Sequence, residues 1–172
     1  IRKDFKSKWM DFTAKQVMSS VPMGFIWAAK SFPVFVKDKS ILGTGETLVS
    51  LLGLFDTSEG HSNKINESAL GRCLAELPLY PVAFLNKNIS WSIVDDHSVK
   101  ATITIEGTTV EGVFYFDHSG LIQRFESYRY RGENLEKFTG EMTEYKTLAG
   151  LYVPTKLRAI WNLKEGDLDY FK

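Results

Sequence analysis

Along most of this chain, apolar and polar residues alternate with a period of two. Ile89, Trp91 and Ile93 alternate with Ser90 and Ser92, and Val99, Ala101, Ile103 and Ile105 alternate with Lys100, Thr102, Thr104 and Glu106. Such alternation marks half-buried antiparallel strands. Asp95-Asp96-His97-Ser98, Glu106-Gly107 and Asp117-His118-Ser119-Gly120 supply turn chemistry between them. With Val110–Phe116 and Leu121–Arg131, the stretch 89–131 therefore predicts a meander of four strands. Gly132–Lys137 reads as a polar loop, and Phe138–Thr147, Tyr152–Asn162 and Leu168–Phe171 as further strands. Toward the N-terminus, Lys8–Met18, Gly24–Phe32, Val34–Ser40 and Glu46–Leu54 carry strand patterns, and Asp56–Lys64 reads as a surface loop. Gly24–Phe32 is apolar on both faces, as a central, doubly covered strand would be.

One stretch breaks the period. In Ser68–Leu85, residues Ala69, Leu70, Cys73, Leu74 and Leu77 fall at helical spacing, Asn66 is placed to cap, and Pro78 and Pro81 end the run. A lone amphipathic helix among strands must bury its stripe against a sheet. The pattern predicts a mainly β, α+β fold: a curled antiparallel sheet of about ten strands forming a half-barrel around one main helix. A two-sheet sandwich is the competing arrangement.

The 172 residues read as one domain, residues 1–172, and truncation at both ends is expected, since Ile1 is not an initiator and the chain stops at Phe171-Lys172 inside a predicted strand. With 12 Phe, 7 Tyr and 4 Trp, a large core can be built with aromatics left over for a pocket. Lys+Arg and Asp+Glu both number 21, so no basic excess points to a nucleic-acid partner. No run approaches the ~18 apolar residues of a membrane span, so no transmembrane segment is expected in this chain. Cys73 is the single cysteine, which rules out an intrachain disulfide.

Several short strings recur in one known pattern: Gly24-Phe25-Ile26-Trp27-Ala28-Ala29, Leu74-Ala75-Glu76-Leu77-Pro78 with Tyr80-Pro81 and Ala83-Phe84-Leu85, Trp91 with Asp95-Asp96, Arg129-Tyr130-Arg131, and Val153-Pro154-Thr155. Through them the chain resembles an uncharacterised bacterial domain-of-unknown-function family over nearly its whole length. Cys73, Leu79 and Gly140-Glu141 depart from that pattern. The resemblance implies no catalytic role for any residue. It implies a cell-envelope or exported location, reached through an N-terminal segment outside this sequence. The strand–helix–strand order is also similar to lipoprotein-carrier half-barrels, an analogy of fold that does not transfer function.

Candidate chemistry is sparse. His61, His97 and His118 all fall in loops or turns without metal-ligand spacing, so neither a metal nor another cofactor is expected. Glu76, Asp95 and Asp96 are the carboxylates an enzyme would use, but Asp95-Asp96 reads first as a turn and Glu76 first as the partner of Arg72 one helical turn away. Arg129 and Arg131 share a strand face with Phe125 and Ser127. With Glu76 and Asp95 they form a candidate buried charge network, or a site for an anionic headgroup. Trp27, Leu70, Leu74, Leu77, Phe84, Trp91 and Trp161 are the candidate walls of an apolar site between helix and sheet. The expected function is non-catalytic binding of a hydrophobic small molecule or lipid. The alternatives are a cell-envelope interaction domain with a filled core, or an enzyme.

Overall fold

The computed structural model describes residues 1–52, 55–60 and 62–172, the stretch 55–60 by its backbone. Strand periodicity becomes two antiparallel meanders rather than one curled sheet. The first sheet runs β1 (Thr13–Ser20), β2 (Met23–Ser31), β3 (Val34–Ile41), β4 (Thr44–Leu51) and β5 (Phe55–Gly60) in sequential order. The second runs β6 (Ile89–Asp95), β7 (Ser98–Ile105), β8 (Thr108–Phe116), β9 (Ile122–Arg131), β10 (Asn134–Leu148), β11 (Leu151–Leu163) and β12 (Gly166–Phe171), again in order. The expected fold class, mainly β with one main helix, holds. The single sheet of about ten strands does not: the described residues form sheets of five and seven strands.

Tight turns make these meanders possible. Leu42-Gly43 and Glu106-Gly107 both have two successive residues at positive φ (52° and 78°, 47° and 80°), the geometry that matches the twist of paired strands. Two segments expected as loops are built into strands instead. Residues 55–60 pair with β4, and 134–137 extend β10 along β9, leaving a short turn after Arg131. Nor is β2 covered on both faces. Phe25 is buried and Trp27 half-buried, while Ile26 and Ala28 point to solvent. Its outer face is apolar in composition yet uncovered.

The helix α1 (Asn63–Ala75) lies between the sheets, packing on β2, β3 and β4 of the first and on β7, β8 and β9 of the second. It starts earlier than the sequence suggested. Ser62, in extended backbone, accepts the Ile65 N–H on its Oγ at 3.2 Å and so caps the first turn. Asn66, the expected cap, instead accepts the Gly45 N–H of β4 at 2.8 Å and ties helix to sheet. Proline ends the helix as predicted, and 3-10 turns at Leu77–Leu79 and Pro81–Leu85 follow it. Leu70, Cys73, Leu74 and Leu77 are essentially inaccessible and join Phe25, Ile103, Phe114, Phe125 and Leu168 in the core. Among the described residues, no helix is long and apolar enough to cross a membrane.

Candidate functional site

Cross-strand registry sets one row of the first sheet against the last turn of α1. Gln16 pairs with Trp27 and Trp27 with Asp38, so the three lie side by side across β1, β2 and β3. Arg72 meets this row. Its Nε donates to Glu76 Oε1 at 2.8 Å, Nη1 to Asp38 Oδ2 at 3.1 Å and Nη2 to Gln16 Oε1 at 2.8 Å. Gln16 Nε2 in turn donates to Glu76 Oε2 at 2.6 Å, closing the network. The guanidinium centre lies 4.5 Å from the Phe25 ring and 4.9 Å from that of Trp27. Burial pulls the Arg72 pKa down, but the Glu76 and Asp38 carboxylates outweigh it and hold the group above its ordinary value.

Arg129 reaches the same region from β9 under different terms. Its guanidinium lies 4.7 Å from the Phe138 ring of β10 and 5.9 Å from that of Trp161 of β11. Nη2 donates to the Ser68 carbonyl at 3.1 Å. Nε is closed off from solvent and meets no protein acceptor, and Asp38 Oδ1 is likewise enclosed without a partner. Burial, aided by the Arg72 charge, pushes the Arg129 guanidinium below its ordinary value, against the opposing influence of the Tyr170 hydroxyl and the Glu76 carboxylate.

Asp38, Arg72 and Arg129 are common to two cavities. One, of about 250 Å³, extends between the sheets past Trp27, Ala75, Leu79, Phe138, Met142, Leu157 and Tyr170. The other, of about 280 Å³, opens beside the start of α1 and is bordered by Lys39, Glu46, Lys64, Ser68 and Glu133. The first cavity shares Leu79, Glu141, Leu157, Arg158 and Phe171 with an open groove over β10 and β11. An apolar chamber thus joins a surface groove at one end and a charged centre at the other.

A family model covers residues 1–172, that of a family of unknown function, DUF6544. The chain belongs to that family. No curated protein and no solved structure matches it.

The candidate residues named from sequence are dispersed. Trp27 lines the inter-sheet cavity, and Trp161 lies against its Phe138 wall with ring centroids 5.4 Å apart. Leu70, Leu74 and Leu77 are packed into the core, away from the lining of both cavities beside the helix. Phe84 and Trp91 form a separate cluster on Phe114, with centroids 5.7–5.9 Å apart. The four-member charge network is not assembled. Glu76 and Arg129 face one cavity, but Asp95 Oδ1 accepts the His97 N–H at 2.8 Å within the β6–β7 turn. Hydrogen bonds from that turn, His97 first, hold the Asp95 carboxyl below the usual range. Arg131 Nη2 donates to the Lys3 carbonyl at 3.1 Å.

The carboxylates considered for catalysis do not converge either. Both Glu76 oxygens are engaged, and Asp95 and Asp96 are exposed at a hairpin tip. His97 and His118, remote in sequence, come together at adjacent hairpin ends with ring centroids 5.3 Å apart. No group of three or more His, Cys, Asp or Glu capable of holding a metal occurs among the described residues, and His61 lies outside them. The Cys73 thiol is pushed up to about 12 by burial, the opposite of nucleophile activation.

Asp38 and Gln16 escaped the sequence reading, although a signal existed. Asp38 is in phase with the buried Ser40 on β3, so period two alone turns its charge inward.

Proposed function

We propose that this chain is a non-catalytic binding protein that holds a hydrophobic, lipid-like ligand beside its helix. One observation carries the reading: the cavity of about 250 Å³ between the sheets, walled by Trp27, Leu79, Phe138, Met142, Leu157 and Phe171. Small-molecule sites are concave, mostly apolar and furnished with a few convergent polar groups, and their volumes begin at roughly 300 Å³. In this reading the two sheets act as the wall of a half-barrel around α1. The binding face of the helix is the one carrying Arg72, Ala75 and Glu76, while the leucine stripe keeps the fold together. Affinity would come from apolar burial at about 25 cal/mol per Å².

Native mass spectrometry of the purified chain tests the proposal, with Ala159→Phe as the blocked control because Ala159 lines the cavity. A bound mass that is released on unfolding and lost in Ala159→Phe supports it. A chain that takes up neither cellular lipid nor added detergent-like ligand contradicts it.

A second reading, an interaction domain, draws support from the edge strand β6. There Ile93 is 85% exposed, and Leu85, at the end of the 3-10 turn that precedes the strand, is 86% exposed. Under that reading Ile93→Lys abolishes capture of a protein partner, and the cavity has no ligand to lose.

A further inference from the structure

We infer that the ligand of the inter-sheet cavity is a long-chain carboxylate whose head pairs with Arg129, an inference that rests on the binding function proposed above. Three arginines reach this cavity, and they are provided for unequally. Arg158 has Glu141 and Asp169 as ion-pair partners. Arg72 has Asp38 and Glu76 as ion-pair partners and Gln16 as a third acceptor. Among the described residues no carboxylate lies within ion-pair distance of Arg129: Ser68 accepts from Nη2, and Nε, enclosed, donates to nothing. An enclosed cation without a counter-ion is costly, and a guanidinium fork matches a carboxylate with two parallel N–H···O bonds.

Orientation and surroundings narrow the ligand further. The Arg129 guanidinium carbon lies 4.7 Å from the Phe138 ring centroid, and a guanidinium donates hydrogen bonds only in its own plane. It sits where the two cavities meet, so a head placed there has the apolar chamber beside it for a chain. Charge limits the head. Asp38 and Glu76, both ion-paired to Arg72, border the same chamber and repel further negative charge. A dianionic phosphate would add two negative charges next to those carboxylates; a carboxylate adds one. The tail has room along Met142 and Leu157 toward the groove at Arg158.

Calorimetric titration of the whole chain with dodecanoate and with dodecanol separates the head from the chain. The wild type should bind dodecanoate at least about tenfold more tightly than dodecanol. Arg129→Met should erase that preference and leave dodecanol binding in place. Arg129→Lys, which keeps the charge without the fork, should fall between them. If the wild type binds acid and alcohol equally, the carboxylate inference is overturned while the cavity reading stands. If folded Arg129→Met keeps the preference for the acid, the assignment to Arg129 is overturned. If neither ligand binds, both the inference and the reading beneath it fail. The wild-type contrast decides the question even if neither variant folds.

Discussion

Arg72 fastens the end of the helix to the first sheet through Glu76, Asp38 and Gln16, between the rings of Phe25 and Trp27. Removing one partner of a mostly enclosed pair leaves the other charge stranded, and that penalty exceeds the net worth of the pair. Arg72→Met strands two carboxylates and should cost about 3 kcal/mol. Glu76→Gln leaves Asp38 in place and should cost less, about 1–2 kcal/mol. Urea denaturation of both single variants and the double variant checks this, and the double should cost less than the sum. Cys73 offers a second test at this scale. Burial raises its pKa to about 12, so the folded state disfavours the thiolate. The stability this confers is complete below the ordinary value of 9.0 and is lost as pH rises toward about 12. Between those limits the wild type should lose more stability than Cys73→Ala, and at neutral pH a thiol reagent should label only unfolded protein.

Helix docking depends on a glycine. A Cβ added at Gly45 would stand 2.8 Å from Ala69 Cβ and 2.8 Å from the Ile65 carbonyl oxygen, so β4 approaches α1 more closely than any side chain permits. Gly45→Ala should destabilise by about 2 kcal/mol, with the loss visible as earlier thermal unfolding of the helical signal. The helix and its proline stops were legible because a run at helical spacing contrasts sharply with its neighbours. Its start was not, since Ser62 and Asn66 are both good caps and only the packing on Gly45 decides which one caps. Arg129 could be placed on an inward face from its phase with Phe125 and Ser127, but its nearness to Arg72 could not be read. Alternation tells which side of a strand is covered, not which distant element covers it. For the same reason the division into two sheets was hidden, and the leucines of α1 looked as suited to a cavity wall as to a core.

At the scale of the whole molecule, two meanders enclose one helix, and the enclosure divides into two regions. On one side of α1, Leu70, Leu74 and Leu77 fill the space with core; on the other, Arg72 and Glu76 face a chamber of about 250 Å³. In the proposed function that chamber receives a ligand while the core does not. A methyl-labelled NMR titration with dodecanoate tests this most directly. Shifts are expected at the methyls of Ala75, Met142, Leu157 and Ala159, which line the chamber, with little change at Leu70 and Leu74 in the core. Shifts confined to the exposed Leu85 and Ile93, or no shifts at all, would overturn the binding function.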